Sequence, residues 1–100
     1  VKYVTMDGRV PFDLWFDQIR DKTLRGNVRA RLARVQQGNL GDHKAIGLGI
    51  VELRIFYGTG FRVYCGIDGP TLVVLLGGGD KSTQHRDIKQ AKAYWEDYHA

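Results

Sequence analysis

The spacing of apolar positions changes period along this chain. "VKYVTM" alternates weakly and predicts a first strand, closed by the turn signal Asp7-Gly8. From Pro11 the apolar residues Phe12, Trp15, Phe16 and Ile19 recur at helical spacing, and proline suits a first helical position because no N–H is lost there. A second helix is expected over residues 23–37, with Leu24, Val28, Leu32 and Val35 as its stripe and the arginines turned away. Gly38 stands where a helix ends in left-handed geometry. The glycine-rich "GNLGDHKAIGLG" reads as a loop in which His43 and Lys44 are solvated.

From Ile50 the period is two. Val51, Leu53 and Ile55 alternate with Glu52, Arg54 and Phe56; after "YGTG", Phe61, Val63, Cys65 and Ile67 alternate with Arg62, Tyr64 and Gly66. A three-residue loop, Gly58-Thr59-Gly60, would pair Tyr57 with Phe61, Ile55 with Val63 and Leu53 with Cys65. That register puts Arg54, Arg62 and Tyr64 on one polar face, with Arg62 opposite Phe56, so Arg62→Ala should leave the packing of the apolar face nearly intact. Asp68-Gly69 turns the chain again, and Pro70 can open a third strand over Thr71 to Leu76. Gly77, Gly78 and Gly79 end it. Ser82 or Thr83 would cap a last helix whose stripe is Ile88, Ala91, Trp95 and Tyr98. The expected fold is α+β: an N-terminal strand, two helices, an antiparallel meander of three strands and a C-terminal helix, in one domain over residues 1–100.

Composition supports one self-sufficient core, since 43% of the 100 residues are hydrophobic. The lone Cys65 leaves no disulfide framework and no Cys/His metal spacing, which suits a reducing cytoplasm; no metal or cofactor is expected, and no apolar run is long enough for a membrane span. Charge is uneven. Residues 1–50 hold nine Lys/Arg against five Asp/Glu, and residues 51–100 hold six of each. The excess gathers in Arg20, Lys22, Arg25, Arg29, Arg31 and Arg34, a density that suits a polyanion or an acidic protein partner, or simply a solvated helix face. "VVLLGGGDKST" looks like a phosphate loop but lacks its spacing G-x-x-x-x-G-K-[ST]: Asp80 and Leu75 occupy the two glycine positions. Nucleotide hydrolysis is thereby disfavoured.

The ordered stretches E-L-R, G-x-G-F-R-V-Y, L-L-G-G-G-D-K-S-x-Q and R-D-I-K-x-A, with the opening "DGRVPFDLWFDQI", resemble the RelE/ParE superfamily of bacterial toxins. The likeness is nearest to its HigB-like addiction-module killer proteins and spans nearly the whole chain. It implies a toxin of a type II toxin–antitoxin module, neutralised by a cognate antitoxin. Its activity would be ribosome-dependent cleavage of mRNA; the alternative within the superfamily is inhibition of DNA gyrase without cleavage. The resemblance also implies roles for Arg62, on the strand after the turn, and for Lys81, after the glycines of the last strand. Glu52 stands where ribonuclease members often carry lysine.

Attack of RNA's own 2′-hydroxyl on the phosphate needs positive charge around the phosphorane, a proton acceptor and a proton donor. Arg62 and Arg54 could supply the charge, Arg62 through paired N–H groups, while Arg54 could instead ion-pair with Glu52. Lys81 could clamp the phosphate or move a proton, or only solvate its loop. Tyr64 could stack on a base or donate its hydroxyl, Gln84 could contact substrate, and Arg86 could meet phosphate or Asp80. His85 is the ordinary proton-transfer type near neutral pH, though it sits beside the packed stripe of the last helix. The three glycines would bring backbone close beneath this basic face, and the helix start would add N–H donors.

Overall fold

A computed structural model describes residues 1–70 and 72–100. Thr71, with which the third expected strand opens, lies outside them. Helix α1 covers Pro11–Phe16 and α2 Lys22–Gln36. Strands follow at β1 His43–Gly47, β2 Ile50–Ile55, β3 Phe61–Asp68 and β4 Leu72–Asp80, then a single 3₁₀ turn, Lys81–Thr83, and α3 Gln84–Tyr98. The fold is α+β, with one antiparallel sheet ordered β1-β2-β3-β4.

Two expectations about strands are corrected. The sheet has four strands, not three, because the glycine-rich segment read as a loop contains β1. Its side chains are almost all exposed, so little buried face demanded apolar alternation, and backbone pairing with the packing of the half-buried Ile46 holds it. Leu48 and Gly49 connect it to β2 with φ of 60° and 83°, the doubly positive geometry of a tight hairpin. At the other edge, the expected N-terminal strand is reduced to one parallel bridge, Lys2 to Leu75, flanked by bonds from Tyr3 N–H to Leu75 O and from Leu75 N–H to Val1 O.

The hairpin register is also corrected. Ile55 pairs with Phe61, Leu53 with Val63, Val51 with Cys65 and Glu52 with Tyr64, and Arg62 lies opposite Arg54 rather than Phe56. The loop is longer than expected by two residues, a slip that leaves every side chain on its expected face.

Both faces of the sheet are covered. Leu53, Ile55, Val63 and Cys65 meet Phe12 and Phe16 of α1 and Leu24, Val28 and Val35 of α2. On the opposite face Ile50, Tyr64, Val74 and Leu76 meet Tyr3 and, from α3, Ala91 and Trp95. Asp21 caps α2 by accepting from the N–H groups of Thr23 and Leu24. Not all arginines of α2 turn outward: Arg31 is buried and donates to the carbonyls of Leu40, Asp42 and Arg54, tying α2 to the segment before β1 and to β2. Burial lowers its pKa from the ordinary arginine value. No described helix is long and apolar enough to cross a membrane.

Candidate functional site

The polar face of the β2–β3 pair is not open to solvent along its length, because α3 lies over it. Its centre is Glu52, only 1% exposed. One carboxylate oxygen accepts from the Tyr64 hydroxyl at 3.2 Å and from the Gln84 amide at 3.0 Å. The other faces Arg62 Nε at 3.8 Å, an ion pair too long to be a hydrogen bond. A buried carboxylate with one cation and two neutral donors is held in place from three elements, β2, β3 and α3.

Arg62 is the unsatisfied member. Its side chain is 14% exposed, and among the described residues neither Nε nor Nη1, both buried, has a hydrogen-bond partner. Unpaired buried guanidinium nitrogens cost free energy unless an acceptor reaches them. Arg54, directly across the strand pair, is bound to Asp42 at 3.2 Å, not to Glu52, and its Nε is likewise buried without a partner among the described residues. Two adjacent guanidinium groups with spare donors make a place for an oxyanion.

The remaining expected residues divide. Tyr64 is 1% exposed and spends its hydroxyl on Glu52, so it cannot stack on a base; burial first, and the Glu52 carboxylate second, raise its pKa and keep it a phenol. Gln84 is likewise committed to Glu52. Lys81 is exposed on the 3₁₀ turn, in a shallow depression with Thr59, Asp80 and Ser82 that Arg62 does not line. Arg86, largely exposed, approaches Asp87 at 3.5 Å rather than Asp80. His85 is exposed in the first turn of α3. Tyr98 and His99 pack on Trp95, and His99 approaches Asp68.

The helix start is organised by Asp80. Its carboxylate accepts from the N–H groups of Ser82 and Thr83 and from the Ser82 hydroxyl, while Thr83 Oγ1 accepts from Asp80 N–H. The Ser82 bond is the main reason that the pKa of Asp80 falls below the ordinary carboxylate value. Asp80 thus fills the place where a phosphate was expected to meet these amides.

Gly78 and Gly79 serve close packing instead. A Cβ on Gly78 would stand 2.4 Å from Cε3 of the Trp15 indole, and one on Gly79 would stand 1.9 Å from Asp87 Oδ2. The sequence reading missed Asp87, which is buried and accepts from the Thr83 hydroxyl; the four-residue spacing of Thr83 and Asp87 on a helix was the available signal. It also missed the burial of Glu52, for which no local pattern gives a sign. Among the described residues no group of three or more His, Cys, Asp or Glu gathers at metal-ligating range.

No family model and no solved structure matches the chain. An uncharacterized protein of Haemophilus influenzae is 49% identical over 81 residues, which cover 81% of this chain and 82% of that protein. At that identity and coverage, the chain belongs to the same family as the Haemophilus influenzae protein.

Proposed function

We propose that the protein is the toxin of a type II toxin–antitoxin pair, acting in the cytoplasm on mRNA at the ribosome and held inactive by a cognate antitoxin. The supporting observation is the Arg62 guanidinium, nearly buried yet with two nitrogens lacking partners among the described residues and with Arg54 beside it. Such a group stabilises negative charge developing on a phosphate, worth roughly 3 kcal/mol for one aligned donor. The E-L-R and G-F-R-V-Y stretches that carry the RelE/ParE resemblance are the two strands that bear these arginines.

A second reading, inhibition of DNA gyrase without cleavage, is favoured by another observation. Tyr64 and Gln84 are spent on Glu52, and Glu52 is sealed, so the proton transfers of RNA cleavage would fall to exposed groups such as His85 or Lys81. Induction without antitoxin, followed by mapping of transcript 5′ ends, separates the readings. Growth arrest with new cuts inside translated messages supports the nuclease. Arrest with intact messages and trapped gyrase–DNA breaks supports the second reading, and unaffected growth removes both.

A further inference from the structure

Between α1 and α3, over the end of β4, lies a cavity of about 220 Å³ that no residue role assigned above explains. Its walls are aromatic and its rim is polar. The Trp15 indole is pressed flat on Gly78, and Tyr94 is fixed by stacking on Tyr3 with ring centres 5.0 Å apart. At Gly77 the backbone itself faces open space, since a Cβ there would meet nothing within 4 Å, and Tyr64, Leu76 and Ala91 also line the cavity. Around the opening stand Gln18, just after α1, and Arg86 and Gln90 from α3, with Asp87 buried next to Arg86.

We infer that this cavity is a slot for one nucleobase, reading the base edge through Gln18 and Gln90; the inference rests on the RNA-directed reading above. Amide and guanidinium side chains are among those that match the donor and acceptor edges of bases, and aromatic faces hold an unstacked base. Size restricts the occupant: pockets that enclose whole drug-sized ligands hold ~300–1,000 Å³, so only a small ring system enters here, with sugar and phosphate outside. A path for the backbone is present. A second depression shares Trp15, Gln18, Gly78 and Arg86 with the slot and continues past Gly79 to Asp80 and Thr83. Gly79 is the strand partner of Arg62. Arg86, exposed at the junction of the two, is placed to meet a phosphate between slot and turn.

The chain carries two indole N–H reporters. Trp95 Nε1 donates to Leu48 O at 2.7 Å away from the slot and serves as the reference, while Trp15 forms the slot's wall. Nuclear magnetic resonance spectra would be recorded while titrating each of the four ribonucleoside 5′-monophosphates, a short oligoribonucleotide, ribose 5-phosphate and phenol. Nucleotides should shift the Trp15 indole and Gln90 amide signals and leave Trp95 in place, and ribose 5-phosphate should not. Replacing both exposed amides, Gln18→Ala with Gln90→Ala, should weaken binding about tenfold, as loss of two modest hydrogen bonds implies. Shifts by the oligonucleotide place the base within a strand, and shifts by mononucleotides alone place it on a free nucleotide; either supports the slot. No movement of Trp15, equal movement with ribose 5-phosphate, stronger binding of phenol than of any nucleotide, or indifference to the double substitution would overturn it. These spectra read the slot independently of toxicity: cut messages with a silent Trp15 sink the slot alone, and intact messages with a shifted Trp15 sink the nuclease reading alone.

Discussion

Removing Arg62 is expected to unsettle the fold as well as the activity. In the register expected from sequence, Arg62→Ala would have been structurally mild, but the arginine is the counter-charge of Glu52, a carboxylate 1% exposed. Stripping one partner from a buried ion pair costs ~3–5 kcal/mol, because the other charge stays desolvated. The Arg62–Glu52 distance of 3.8 Å and the two bonds that Glu52 keeps, from Tyr64 and Gln84, place the expected loss at the low end, about 3 kcal/mol. Converting the carboxylate to an amide in the same molecule, Arg62→Ala with Glu52→Gln, removes the stranded charge and should recover about 2 kcal/mol of it, a coupling typical of contacting residues. Urea unfolding of wild type, both single variants and the double variant measures the coupling directly. On the proposed nuclease reading, cleavage should fall at least a hundredfold in both proteins that lack Arg62, as loss of a ~3 kcal/mol donor implies, and Arg62→Lys should recover only part of it. The reasoning fails if Arg62→Ala unfolds within about 0.5 kcal/mol of wild type, the ordinary range for surface changes, or if the double variant is no more stable than Arg62→Ala.

Other outcomes follow from the packing. Gly78→Ala should cost ~1–3 kcal/mol by overpacking, since its Cβ meets the ring of Trp15 and not a flexible side-chain end, and Trp15→Leu should absorb part of that penalty in a double variant followed by thermal melting. Leu48→Asn should raise stability by about 1 kcal/mol, because Leu48 is exposed at φ 60°, where asparagine is far better tolerated. Burial first, and the bond to Asp97 second, push the Tyr3 pKa up to about 12, and the pKa of Tyr64 is raised as well. Folded-state values above the unfolded ~10 mean that this stability is complete below pH ~10 and is lost as pH rises through the folded value. Tyr3→Phe should therefore flatten the alkaline limb of a stability–pH curve, and an unchanged limb would show that the phenol does not contribute.

Period-two alternation told which face each residue of β2 and β3 takes and could not tell their register, because a slip of two residues preserves every face. Ile55 pairs with Phe61 instead of Val63 for that reason. The helices were legible because Phe12, Phe16, Leu24, Val28, Ala91 and Trp95 bury one stripe each. Strand β1 was not, since an exposed edge strand imposes no side-chain pattern. Arg54 and Arg62 were found together by parity, but the layer lying over them was invisible: nothing in "VELRIF" reveals that α3 seals Glu52 and Tyr64 while leaving Arg62 partly open. Asp80 illustrates the opposite case, a residue that spoiled a phosphate-loop motif and whose position before Ser-Thr is that of a helix cap.

The tie between Tyr3 and the far end of α3 bears on the order in which the molecule assembles. Tyr3 donates to Asp97 at 2.5 Å across 94 positions of sequence and stacks on Tyr94, whereas the β2–β3 and β3–β4 pairs join neighbours in the chain. Closing so long a loop costs entropy that only a nearly finished structure repays. The hairpins are therefore expected to form early and the Tyr3 contact last. On unfolding the sequence reverses, with residues 1–3 peeling from β4 before the sheet opens. Amide exchange should record this as weak protection of Tyr3 and Leu75 N–H beside strong protection across β3.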